Sequence, residues 1–246
     1  MFPIRDDNPT RHTALATYLL MALNIAAWIF VQGLGKEASL IKSVFGFGLI
    51  PGELLGTADP GTRVQVSEGI WYVVQETPNR LSILTSMFMH GGWMHLIGNM
   101  WFLAVFGNNV EEAMGSIRFG IFYILCGLAA GGAQIVSDPS STVPMVGASG
   151  AIGGVMGAYA LLFPMAGVHM LVWFGFYVTT VVVPAFLMLG YWFLLQLATG
   201  TFGASGGVAV WAHVGGFLAG ILLVKIFSRK DRLRELKSRH LRPGRF

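Results

Sequence analysis

Ser149 and His213 pair a hydroxyl with an imidazole, each set in a long apolar run. That is the minimum equipment for nucleophilic catalysis, in which the ring takes the hydroxyl proton and the oxygen attacks a carbonyl. Ser149 stands in Gly147-Ala148-Ser149-Gly150, and His213 in Ala212-His213-Val-Gly-Gly. Two further polar side chains, His95 and Asn99, are four residues apart and so share one face of a helix. Attack on a peptide carbonyl creates an oxyanion that fixed donors must meet. His95 and Asn99 supply side-chain donors, and the N–H of Ser149, if that residue opens a helix, is an orphan donor favoured by the helix dipole. No Asp or Glu is spaced to orient His213, so the expectation is a dyad, not a triad. Each residue alone has a plainer reading, a helix bridge for His or Asn and a packing position for Ser.

The elements that must carry these groups are membrane helices. Of 246 residues, 54% are hydrophobic and 11% charged, with a mean hydropathy of +0.64. Soluble domains carry roughly 25% charged residues, so most of this surface must face lipid. The net charge of +4 is no nucleic-acid face, because nine of the sixteen Lys and Arg fall between Lys225 and Arg245. A basic tail after an apolar segment reads as a cytoplasmic anchor on anionic lipid. The lone Cys126 has no intrachain partner and reads as packing. No cleavable signal is evident before the first apolar stretch, which is expected to be retained, and Asp6 and Asp7 argue against a mitochondrial transit peptide.

A ruler of about 20 apolar residues per crossing gives spans near 14–31, 86–107, 118–136, 149–166, 169–197 and 208–227. The expected fold is an all-α integral membrane protein, a bundle of six transmembrane helices over 14–227. It is flanked by a short cytoplasmic N-terminal tail, 1–13, and a basic cytoplasmic tail, 228–246. Arg5, Arg11 and the basic tail put both termini in the cytoplasm, in the plasma or inner membrane of the cell. The fifth span is long and holds Pro184, so a tilt or kink is expected. Residues 32–80 are too long for a turn and predict a partly structured extracytoplasmic loop.

This topology gathers the polar residues. Spans two, four and six all enter from the outer side, so His95 and Asn99, Ser149 and His213 lie at a similar depth. Ser149, Gly153 and Gly157 form one stripe, and His213, Gly216 and Gly220 another. Small residues so spaced let helices approach closely, as does the pair Gly127/Gly131. If the stripes of spans four and six meet, Ser149 and His213 come within hydrogen-bonding reach. The same four letters recur at Gly203-Ala204-Ser205-Gly206. That copy opens no glycine-striped helix and lies eight residues from His213, so Ser149 is preferred.

These residues resemble the rhomboid family of intramembrane serine proteases. The matching pieces are His90-Gly-Gly-Trp-Met-His95-Leu-Ile-Gly-Asn99, Gly107 with Glu111, Gly147-Ala-Ser149-Gly150, and Ala212-His213-Val-Gly-Gly-Phe-Leu-Ala-Gly220, in order across roughly 80–227. The resemblance implies Ser149 as nucleophile, His213 as base, and His95, Asn99 and Gly147 as oxyanion or substrate-binding partners. It also implies transmembrane proteins as substrates, with membrane lipids as surroundings and no cofactor. The sequence departs from the family pattern twice. A Trp-Arg pair late in the first loop is replaced by Pro78-Asn79-Arg80-Leu81-Ser82, where Arg80 is available as a partial substitute. A Tyr four residues after the nucleophile, which stacks on the base in some members, is Gly153 here, so a ring for His213 must come from elsewhere.

Three other readings compete. A transporter or channel would collect His, Asn and Ser along its pathway, but it usually shows repeated halves or midplane charges, and neither is present. A metal enzyme built on His90, His95 and His213 has three imidazoles but no His-Glu-x-x-His. A catalytically dead relative is disfavoured because both members of the dyad are present.

Overall fold

The computed structural model describes residues 2–203 and 209–240. The chain is mostly helical, and two of its helices, α6 (Ser116–Ser137) and α9 (Val210–Phe227), are each long and apolar enough to cross a bilayer. Helix α1 (Leu15–Ala26, continued as a π-turn to Val31), α7 (Ser149–Leu162) and α8 (Ala185–Thr201) are apolar but shorter. Helix α5 (Trp93–Met114) equals α6 in length but carries His95, Asn99, Asn108, Asn109, Glu111 and Glu112.

The second span begins later than expected. Residues 82–88 form only a one-turn α4 (Ser82–Thr85) and a 3-10 turn, the chain breaks at Gly91 and Gly92, and α5 starts at Trp93. His95 and Asn99 therefore occupy the first two turns of their helix.

The all-α expectation fails at the fifth span. Residues 167–184 are not helical: they form a hairpin of β4 (Gly167–Phe174) and β5 (Tyr177–Pro184), and α8 begins only at Ala185. The run is rich in Val and Thr, which favour strands, and Gly175 at its turn has φ +60°. Hydropathy counts such residues without distinguishing strand from helix. β1 (Phe2–Asp6) pairs antiparallel with β4, pairing Phe2 with Leu171 and Asp6 with Val168, to complete a three-stranded sheet.

The segment 32–80 contains α2 (Glu37–Phe47), α3 (Pro51–Leu55) and a hairpin of β2 (Arg63–Ser67) and β3 (Ile70–Val73). Glu53 ties the hairpin to α3, accepting from Tyr72 Oη at 2.6 Å and from the Gln75 N–H at 2.9 Å. Burial, reinforced by that carboxylate, raises the Tyr72 pKa above its ordinary value. Arg80 is exposed. The loop is instead fastened by Asn79, whose Nδ2 donates to the Gly46 carbonyl at 3.0 Å.

The core lies where α6, α7 and α9 cross. A Cβ at Gly216 would fall on the carbonyl oxygen of Gly150, and one at Gly220 on that of Gly154. The stripe of α7 that meets these two residues thus includes Gly150 and Gly154 beside the expected Gly153 and Gly157, whose neighbours are main-chain atoms of His213 and Phe217. Gly127 and Gly131 serve a different contact, receiving Met87 and Ile83. Cys126 is buried on α6 against Gly154.

At the far end of α5, Glu111 accepts from the N–H groups of Ala16 and Thr17 and from Thr17 Oγ1, at 3.0, 2.8 and 2.8 Å. A carboxylate on the first turn of α1 satisfies orphan donors and meets the positive end of the helix dipole. The described part of the basic tail is helical and touches α5. Residues Lys230–His240 form α10, the Arg229 N–H donates to the Ala113 carbonyl at 3.0 Å, and Arg232 Nη1 donates to the Glu112 carbonyl at 3.1 Å. These bonds cap the C-terminus of α5, where cations are favoured.

Candidate active site

Ser149 is the first residue of α7 because Gly147, at φ +129°, turns the chain into the helix in a conformation that favours glycine. A side chain at Gly147 would strike His95 Nε2, its Cβ lying 2.7 Å away. The Gly147 N–H is spent on the Ser86 carbonyl at 2.9 Å, so this residue shapes the pocket and donates nothing into it. Ser149, one residue into the helix, has no intrahelical acceptor for its N–H.

His213 lies in the first turn of α9, and Gly216 one turn on lets α9 touch α7 through main-chain atoms. The consequence is direct: Ser149 Oγ and His213 Nε2 are 2.8 Å apart, within hydrogen-bonding distance. The two glycine-bearing helices thus bring together a hydroxyl and an imidazole 64 residues apart in sequence.

His95 lines the same space. Its Nδ1 accepts the Gly91 N–H at 3.2 Å, which leaves the ring proton on Nε2, the nitrogen that faces Gly147. Asn99 is 7% exposed, and its Nδ2 has no partner among the described residues. An unspent buried amide donor is costly unless a ligand uses it. Two cavities meet at the Ser149–His213 pair. One of about 220 Å³ includes Asn99, Phe102, Met156 and Trp192, and one of about 350 Å³ includes Met145, Gly147 and Ala209. His95, Ser149 and His213 line both. A larger apolar hollow of about 680 Å³ lies between α1 and α5, away from these residues.

Two neighbours of His213 went unread in the sequence. Trp192 on α8 lies with its ring 5.8 Å from the imidazole at 39°, and Gln196, one turn further, places Oε1 2.8 Å from His213 Nδ1. Trp192 occupies the side of the imidazole that Gly153 leaves open, since a Cβ there would already come within 3.8 Å of the indole. A signal existed for Gln196: a lone amide in the apolar run from Ala185 to Ala198 is costly in a membrane helix and marks a candidate by default.

Ser205 lies outside the described residues. Among the described residues no group of three His, Cys, Asp or Glu side chains is gathered so as to hold a metal ion. His90 is fully buried beside His95, with ring centroids 5.2 Å apart.

Residues 78–230 match the family model described as the Rhomboid domain. RHOMBOID-like protein 5 of Arabidopsis thaliana is 34% identical over 34% of this chain and 27% of its own length. Rhomboid protease GluP of Bacillus subtilis is 30% identical over 58% of this chain and 23% of its own. Inactive rhomboid protein 1 of Drosophila melanogaster is 33% identical over 37% of this chain and 6% of its own. In each comparison the matched part spans less than a third of the relative.

Proposed function

The chain belongs to the rhomboid family, and from that premise we propose that it is an intramembrane serine endopeptidase that cuts transmembrane proteins through Ser149 and His213. The observation that carries the proposal is the 2.8 Å approach of Ser149 Oγ to His213 Nε2 at the meeting point of two cavities.

The mechanism follows from the groups present. Ser149 Oγ–H donates to Nε2, the imidazole takes the proton, and the oxygen bonds to the scissile carbonyl carbon. The carbonyl oxygen becomes an oxyanion, met by Asn99 Nδ2–H, His95 Nε2–H and the Ser149 N–H at the positive end of α7. The imidazolium returns its proton to the leaving amine, giving an acyl-enzyme on Ser149. Water, deprotonated by the same ring, then releases the new carboxylate and regenerates the hydroxyl. No cofactor enters. A substrate helix hides its carbonyls in its own hydrogen bonds, so it must dock sideways and locally unwind. Small or helix-breaking residues in the substrate favour that step.

The proposed setting is a six-crossing arrangement of α1, α5, α6, α7, α8 and α9 in the cell membrane, with both termini in the cytoplasm. Its domain limits are 14–227, with tails before and after. In support, the start of α1 and α10 gather at the C-terminal end of α5 and β1 runs beside that helix from Trp101 to Asn109, whereas His95 lies roughly 28 Å from the helix end, at about 1.5 Å per residue. Arg5, Arg11 and the basic tail then sit on one side of the membrane and the cavities near the other.

The test uses the purified full chain in detergent with a fluorescently labelled model transmembrane substrate. Wild type cleaves it, and Ser149→Ala lowers the rate by about 10⁴-fold or more. Cleavage undiminished in Ser149→Ala, or abolished by a chelator alone, removes the serine-dyad reading.

A further inference from the structure

A base that must accept the Ser149 proton at Nε2 has to carry its own proton on Nδ1. Neutral imidazole exists in two tautomers, and only that one is productive. In serine hydrolases with a triad, a carboxylate accepting from the second nitrogen makes the choice. Among the described residues no carboxylate lines either cavity, and His95 is the one other titratable ring lining them beside the pair. The group against His213 Nδ1 is Gln196 Oε1, at 2.8 Å.

We infer that Gln196 is a positioning residue of the site, a neutral acceptor that holds the Nδ1–H of His213 and leaves Nε2 free to take the Ser149 proton. The inference rests on the reading of Ser149 and His213 as nucleophile and base. A carboxylate at the same point would place a full charge among apolar helices, where the desolvation penalty can exceed its attraction to the ring. An amide oxygen fixes the tautomer without that penalty, and also gives the imidazolium formed during attack a dipole to face. Trp192 completes the arrangement. It lies four residues before Gln196 on the same face of α8, where its indole limits tilting of the imidazole. Both supports come from α8, whereas nucleophile and base come from α7 and α9. Displacing α8 from α9 therefore removes the two restraints together and leaves Ser149 and His213 side by side but the tautomer unfixed.

The experiment compares wild type, Gln196→Met and Gln196→Glu in detergent, each first checked for the wild-type unfolding temperature. Met matches Gln in length but accepts no strong hydrogen bond, whereas Glu restores an acceptor. Gln196→Met is expected to lower kcat by about 10- to 100-fold, with KM within about twofold, and Gln196→Glu to recover most of that loss. Ser149-dependent cleavage with kcat unchanged in Gln196→Met overturns the inference while leaving the dyad intact. A second readout does not need activity: ¹⁵N spectra of histidine-labelled protein report the tautomer of each ring. His213 is expected as the Nδ1–H form in wild type and as a mixture in Gln196→Met. A wild-type His213 protonated on Nε2 contradicts the inference whether or not any substrate is cut, so its failure and that of the proposed protease activity are told apart.

Discussion

Helix α9 packs against α6, α7 and α8, and its contacts with α7 and with α8 are built differently. Against α7, main chain meets main chain: Gly216 lies on the Gly150 carbonyl and Gly220 on that of Gly154, with no room for a methyl group at either. Against α8, side chains do the work, with Phe193 stacked on Phe217 at 4.7 Å and Trp192 and Gln196 reaching His213. The outer face of α8 is open, with Leu187, Tyr191 and Leu194 exposed. Where lipid supplies no hydrophobic drive for association, close backbone packing is the stiffest joint available. Ser149 and His213, 2.8 Å apart, are mounted on that joint, and the two side chains that reach the imidazole from α8 sit on the softer one.

Breaking the stiff joint has the largest consequence. Gly216→Leu drives a side chain into the Gly150 carbonyl and is expected to cost about 3 kcal/mol or more, seen as a lost or strongly lowered unfolding transition in detergent together with lost cleavage. Breaking the soft joint is milder. Trp192→Ala should leave a folded protein, lower its stability by about 2 kcal/mol, and reduce kcat by about tenfold at similar KM. Were Trp192→Ala to unfold the chain as Gly216→Leu does, the distinction between the two joints fails.

Smaller effects belong to the other end of α5. Glu111→Ala removes the acceptor of three bonds at the start of α1 and is expected to lower stability by about 2 kcal/mol. Activity measured well below the unfolding temperature should hold, because Glu111 touches none of the cavity residues. Nearby, Asp6 accepts from Asn109 Nδ2 at 2.8 Å and from the Tyr159 hydroxyl. Burial raises its pKa above the ordinary 3.8 despite those bonds. The folded state therefore holds this proton more tightly than the unfolded state. The associated stability is fully present below pH 3.8 and is lost as pH rises through the raised value. Thermal unfolding followed across mildly acidic pH should show that decline in wild type and a flatter curve in Asp6→Asn.

The Ser149–His213 approach was legible in the sequence because costly polar groups and glycine stripes obey helix spacing, and spacing survives even when helix ends are misplaced. The late start of α5 moved neither His95 nor Asn99 off its face, since a boundary shift leaves the four-residue interval unchanged. The β4–β5 hairpin was illegible for the opposite reason. Its Val and Thr residues score as apolar whether strand or helix, and the partner that makes a sheet worthwhile, β1, lies some 160 residues away in sequence. The docking of α10 was hidden by charge, because a basic run does not reveal that Arg232 reaches the C-terminal carbonyls of α5. Gln196 was readable in principle, but only a placed α8 shows that the one amide in its apolar run points at His213 and not at another helix.

The central claim is that Ser149 is made nucleophilic by His213. It is tested most directly by treating the purified full chain with a fluorophosphonate probe and mapping the adduct by mass spectrometry. A single adduct on Ser149, lost in His213→Ala and blocked by excess transmembrane substrate, is the predicted result. An adduct on Ser205 in place of Ser149, or labelling of Ser149 at the wild-type rate in His213→Ala, contradicts it.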